Sequence, residues 1–257
     1  ISPELQRRIF NVAKNVFALP EGEKLKIQKT ASSPFRGYEG PGVQRFEVAT
    51  PDTKKSFFSC RDKNKWPVAL GNDFKAFSEE YFDKIFHLAE VVLEILGLGL
   101  GLSGDYFNPL VADVHAVFNL LHYPPSSGAN ENERGIGAHR DFGCVTLLLK
   151  DEVGGLQVQN MAIGEWIDVE PAPGAYLVNL WNLMIRWSNN RYTSNIHRVI
   201  NAPGRDHFSI PFFLVGNMNY VFGCLPWCRD KDDAGDGFKG APISVRDFIA
   251  EQHRISY

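Results

Sequence analysis

The chain is expected to be mainly β with flanking helices, its core a double-stranded β-helix of the jelly-roll kind. Three observations carry that expectation. From about Val114 onward the sequence breaks into short strand-like runs separated by Gly, Pro, Asn and Asp. Runs this short and regular close into a barrel or a double-sheet jelly roll. Before Val114, two long stretches carry apolar residues at helical spacing instead. Finally, 257 residues without an internal repeat are enough for one substantial core.

Each element has a local reason. Ser2-Pro3-Glu4 opens a first helix with a capping hydroxyl, a proline at the first helical position and an acid in the first turn. Leu5, Ile9, Val12 and Val16 then recur on one face until Leu19-Pro20 ends the run. "ASSPFRGYEGPGVQ" reads as a loop. A second long helix is predicted after Asp73, with Phe74, Phe77, Tyr81, Ile85, Leu88 and Val92 on one stripe, and "GLGLGLSGD" stops it. The predicted strands are "HAVFNLLHY", "CVTLLLK", "GLQVQN", "EWIDV", "AYLVNL", "TSNIHRVIN" and "HFSIPFFLV". A last helix, from Ser244 through Phe248 and Ile249 to His253, is expected to pack back on the body. The division is a mainly helical N-terminal part at 1–110, expected to be truncated at its start, and a jelly-roll domain at 111–257 with a C-terminal helix.

Composition narrows the function classes. A formal net charge of −3 offers no electrostatic reason to expect nucleic acid or an anionic membrane as partner. The longest apolar stretches fall well short of a bilayer span, and no basic-then-apolar leader opens the chain. Cys60, Cys144, Cys224 and Cys228 form neither a C-x-x-C pair nor a zinc-like spacing, so reduced thiols and a cytoplasmic location are expected. Nineteen Phe and five Trp suffice both for a core and for an aromatic-lined pocket.

The chemistry concentrates in His139-Arg140-Asp141 and, much later, His197 in "SNIHRVIN". Residues two apart on an extended strand point the same way, so His139 and Asp141 can aim at one metal ion, with His197 closing the face from a distant strand. Two neutral imidazoles and a carboxylate form the facial set that holds non-heme Fe(II) with coordination positions left open. Open positions take O2 and an organic reductant, which points to oxidative chemistry. The bare tripeptide is weak, since a surface His beside a turn Asp reads the same.

Its setting strengthens it. "GIGAHRDFGCVTLLLKDEVGGLQVQN", followed by "NNRYTSNIHRVIN" and "FSIPFF", resembles the 2-oxoglutarate/Fe(II)-dependent dioxygenases of the isopenicillin N synthase-like superfamily. "FRGYEGPG", "KKSFFSCRDKNKWP" and "LLHYPP" extend the resemblance over nearly the whole chain. The resemblance implies a jelly-roll oxygenase domain at 111–257, with His139, Asp141 and His197 as catalytic iron ligands, 2-oxoglutarate as co-substrate and O2 as oxidant. It implies oxidation of a small organic molecule (hydroxylation, desaturation, cyclisation or rearrangement) in secondary or nucleobase metabolism. Tyr123 stands where a phenol often bonds the co-substrate, a core tyrosine being the equal alternative.

An Arg-x-Ser pair ten and twelve residues after the distal His grips the co-substrate's far carboxylate in the family. Here those positions are His207 and Ser209. Histidine supplies neither the permanent charge nor the fork of arginine. Three readings follow: Arg205 reaches in, a protonated His207 serves, or the enzyme is an oxidase that does not use 2-oxoglutarate. Phe142, Trp181 and Arg186 are candidates for the substrate pocket. A non-catalytic scaffold on the same barrel is the remaining alternative; neither substrate nor oligomeric state is legible.

Overall fold

The computed structural model describes residues 1–47, 51–126, 133–141, 143–225, 228 and 241–256. The first helix, α1 (Pro3–Ala18), begins at the predicted cap, where Ser2 Oγ accepts a hydrogen bond from Leu5 N at 3.2 Å. A short α2 (Glu21–Lys26) follows the proline that was expected only to end the run. Two strands, β1 (Gly37–Glu39) and β2 (Lys55–Cys60), then precede α3 (Gly71–Gly99). After the one-turn α4 (Asn108–Val111) come β3 (His115–Tyr123), β4 (Arg134–His139), β5 (Val145–Lys150), β6 (Leu156–Gln159), β7 (Trp166–Asp168) and β8 (Leu177–Leu180). Helix α5 (Asn182–Ser188) interrupts the strands before β9 (His197–Ile200) and β10 (His207–Gly216). The small pair β11 (Val221–Phe222) and β12 (Ile243–Ser244) leads into α6 (Val245–Ser256).

Two antiparallel sheets face each other as a jelly roll. The larger runs β1-β2-β3-β10-β5-β8 and the smaller β4-β9-β6-β7. Residue parity divides the larger sheet. Phe118 and Leu120 on β3, Leu147 and Leu149 on β5, and Ile210 and Phe212 on β10 pack into the main core with Ile9 of α1 and Tyr81 and Ile85 of α3. The alternate residues, including Leu121, Tyr123, Thr146, Leu148, Ser209 and Pro211, line the space between the sheets. Both faces of these strands are therefore covered, which explains why they read as near-continuous apolar runs rather than as alternating ones.

Three features go beyond the predicted elements. Within the mainly helical residues 1–110, two strands not predicted, β1 and β2, extend the large sheet beyond β3, pairing Phe58 with Asn119 and Ser56 with Leu121. Without them β3 would present an unpaired edge to solvent. "RGIGAH", absent from the predicted strands, is strand β4, and the stretch after Trp181, for which no element was predicted, forms α5. The cysteines among the described residues are free thiols, and no described helix is long and apolar enough to cross a membrane.

Candidate active site

His139 is the last residue of β4 and His197 the first of β9, and the two strands pair them directly across the ladder. Their ring centroids lie 4.2 Å apart. Asp141 stands two residues beyond the end of β4, and its Oδ1 is 3.6 Å from His139 Nε2 and 3.7 Å from His197 Nε2. Gly143 makes this turn possible. Its φ is +134°, and a Cβ there would lie 2.2 Å from the Trp181 ring.

Each donor is oriented from behind. His139 Nδ1 donates to Gly137 O at 2.8 Å and His197 Nδ1 to Asn195 O at 3.3 Å, so the lone pairs sit on the facing Nε2 atoms. Asp141 Oδ2 accepts from Thr146 Oγ1 and Asn179 Nδ2, both at 2.9 Å, which leaves Oδ1 turned to the imidazoles. Thr146 itself accepts from Trp181 Nε1 at 2.5 Å. Burial pushes the Asp141 carboxyl up, but His197, His139 and Thr146 outweigh it and hold the group below the usual carboxylate range. Burial, then the neighbouring His139, pushes His197 down to about 4, so its imidazole is neutral at physiological pH. Two imidazole nitrogens and one carboxylate oxygen within 4.8 Å of one another suit a divalent transition metal, and the softness and charge of the set suit Fe(II).

Two cavities meet at these ligands. The smaller, of about 150 Å³, lies inside the barrel between the sheets and contains Tyr123, Lys150, His207 and Ser209 in its wall. The larger, of about 460 Å³, opens on the other side of His139 and Asp141, walled by Phe46, Phe58, Asn119, Trp181 and Phe213. Phe46 stacks on the His139 ring with centroids 4.5 Å apart.

The structure sorts the remaining candidates. His207 is only 2% exposed, stacks on Tyr123 at 4.8 Å and bonds Asp151 Oδ1 through Nδ1 at 2.5 Å. Ser209 Oγ and Tyr123 Oη lie 3.3 Å apart, and burial pushes the tyrosine's pKa up, keeping the phenol protonated. Arg205 does not join them. It is exposed and lines an outer groove with His122 and Asp206, because it precedes β10 rather than lying on its inward face. Arg186 also lies elsewhere: it is buried on α5, donates to Ala241 O at 2.9 Å and sits over the Phe222 and Phe248 rings. Trp181 does face the larger cavity; Phe142 lies outside the described residues.

Sequence reasoning missed Lys150, Asn119, Thr146, Asn179 and Asp151. Lys150 is the register partner of Ser209 across β5 and β10, and its Nζ donates to Val169 O at 2.7 Å. Only the alternation of "CVTLLLK", once its inner face was known, would have found Lys150 and Thr146.

Comparison with known proteins agrees with this geometry. Residues 114–216 match the family profile described as the 2OG-Fe(II) oxygenase superfamily, and residues 1–75 match the non-haem dioxygenase N-terminal profile named for morphine synthesis. The chain is 42% identical to the 2-oxoglutarate-Fe(II) type oxidoreductase hxnY of Emericella nidulans, covering all of this chain and 79% of that protein. It is 36% identical to the 2-oxoglutarate-dependent dioxygenase citB of Monascus ruber, covering all of this chain and 83% of the relative. Among solved structures, a full-length Neurospora crassa protein in complex with alpha-KG and thymine superposes with a TM-score of 0.88 at 28% identity, over 100% of this chain and 85% of that one.

Proposed function

The chain belongs to the 2-oxoglutarate/Fe(II) oxygenase superfamily and is a 2-oxoglutarate-dependent non-heme iron dioxygenase; within that activity, we propose that His139, Asp141 and His197 hold the iron, the smaller cavity takes 2-oxoglutarate, and the larger takes a small organic substrate. One observation carries the reading: the three donor atoms converge while every other polar atom of those side chains is already engaged. When bound, iron with 2-oxoglutarate and O2 supplies oxidative decarboxylation to succinate and CO2 and the removal of a hydrogen atom from substrate.

The protein's part is binding and exclusion. Thr146 and Asn179 fix one carboxylate oxygen of Asp141 so that the other faces the metal. In the smaller cavity, Ser209 and the protonated Tyr123 offer hydroxyl donors to the distal carboxylate of 2-oxoglutarate, with the His207 imidazole and the Lys150 ammonium beside them. Asp151, held below the usual carboxylate range by His207 against the opposing effect of burial, keeps a negative charge on the Nδ1 side of His207. Phe46, Phe213 and Trp181 keep the approach to His139 and Asp141 apolar, which favours a C–H-bearing substrate over water.

The thymine complex of the Neurospora relative supports nucleobase or related secondary metabolism as the setting. A scaffold would have no use for a ligand set oriented by so many hydrogen bonds. The test is to admit O2 to anaerobic protein carrying Fe(II), with and without 2-oxoglutarate, and to measure succinate. Succinate should form only with 2-oxoglutarate and fall at least about a thousandfold in His139→Ala or Asp141→Ala, as loss of groups that act as a unit implies. Succinate formation that survives either change would remove these residues from the iron site.

A further inference from the structure

We propose that Asn119 reads the substrate, and that the substrate is a small neutral ring carrying an N–H/C=O edge in its plane, as in a lactam, imide or ureide. The inference rests on the oxygenase reading above, since it takes the cavity beside His139 and Asp141 as the substrate site.

Asn119 lies on the inward face of β3, where Val117 and Leu121 flank it and Phe58 of β2 is its register partner. It is 3% exposed, and among the described residues its Oδ1 accepts no hydrogen bond. Folded proteins seldom leave a buried carbonyl unmet, because it has given up water for nothing. Of the described buried side-chain atoms left in this state, only those of Asn119 and Glu39 belong to residues of this cavity, and Glu39 already has Lys29 as its ion partner. Asn119 is therefore the polar group in the wall whose partner is still to arrive.

The rest of the wall says what that partner carries. Phe46, Phe58, Trp181 and Phe213 present aromatic surface, which accommodates a flat apolar body and fixes no orientation through hydrogen bonds. The wall's lysines are already paired. Lys54 contacts Asp52 Oδ2 at 3.0 Å and Gln44 Oε1 at 2.7 Å, and Lys29 pairs with Glu39, while Arg140 donates to the neutral acceptors Ser194 O and Met161 Sδ. A carboxylate substrate would compete with Asp52 and Glu39 for these lysines; a neutral one leaves both pairs intact. A carboxamide holds one acceptor beside one donor group, so it meets an N–H/C=O edge with two parallel hydrogen bonds. Rotating the amide about its last bond exchanges the two ends and leaves the match unchanged.

The test is calorimetric binding to protein loaded with Mn(II) and 2-oxoglutarate. The probes are 2-pyridone and uracil, their N-methylated forms, and benzoate. At least one N–H ring should bind, with its N-methylated counterpart about tenfold weaker, the loss of one net hydrogen bond, and with benzoate weaker still. Asn119→Leu should erase that preference while 2-oxoglutarate affinity and Tm hold or rise, because the variant removes an unmet polar group; Asn119→Ala gives the same readout if leucine does not pack. Failure of both N–H rings to bind, equal binding of the methylated forms, or a preference that survives both variants overturns the assignment. Wild-type protein that does not bind 2-oxoglutarate would count instead against the oxygenase reading.

Discussion

Asp141 shows how much a single ligand depends on its surroundings. Taken alone it is a carboxylate in a turn with two equivalent oxygens, free to point either one outward. Thr146 and Asn179 remove that freedom by occupying Oδ2, and Trp181 in turn orients the Thr146 hydroxyl. Second-layer hydrogen bonds of this kind are worth about 10- to 100-fold in metal affinity. Thr146→Val, which keeps the shape and loses the hydroxyl, should weaken Fe(II) binding by that range in an anaerobic titration, with the fold unchanged by circular dichroism. An unaltered affinity would assign the orientation of Asp141 to Asn179 alone. His139, Asp141 and His197 were legible from residue type and spacing. Thr146 and Asn179 were not, because threonine and asparagine in strands have too many ordinary uses.

At the scale of elements, register decides which side chains line the smaller cavity. Antiparallel pairing sets Ser209 of β10 opposite Lys150 of β5 and Leu121 of β3, and His207 opposite Tyr123. One residue of slip would turn all of these side chains into the core and bring Ile210 and Leu149 inward. In the proposed grip, a lysine from the neighbouring strand would take the part of the arginine absent at position 207, which counting along the chain from His197 cannot reveal. Lys150→Met should weaken 2-oxoglutarate binding by about 10- to 100-fold, the range for a charge-assisted hydrogen bond, and leave metal affinity unchanged. Calorimetry with Mn(II) in place of iron measures both. No loss of affinity would leave His207, Ser209 and Tyr123 as the whole grip.

Across the whole molecule, one core ties the helices to the large sheet, and the N-terminal strands complete that sheet. The site inherits its rigidity from this arrangement, and part of its acid stability comes from the same place. Asp151 joins β5 to β10 by accepting from Phe208 N at 2.6 Å and Val153 N at 3.0 Å and by pairing with His207. Burial raises its pKa, but these partners outweigh burial and the native value is lowered. A lowered native value gives stability that is present above the unfolded carboxyl's pKa of about 3.9 and lost as pH falls through the native value. Metal-free Asp151→Asn should be less stable at neutral pH and show a shallower loss of Tm below about pH 4 than the wild type. Parallel acid limbs for the two proteins would exclude Asp151 as a source of that dependence.

The sequence by itself determined the jelly-roll class, the first helix with its cap, the last helix, most of the strands, and the His139, Asp141 and His197 set. All of these follow from local rules: periodicity, capping chemistry, and the few residue types that bind iron. The tertiary structure alone decided that Arg205 stays outside, that Lys150 meets Ser209, that Arg186 serves packing, and that Asn119 looks into the larger cavity. The physical reason is common to all four. Which face of a strand is inward, and which residue lies across from it, is set by pairing between segments far apart in the chain, and no local pattern carries that information.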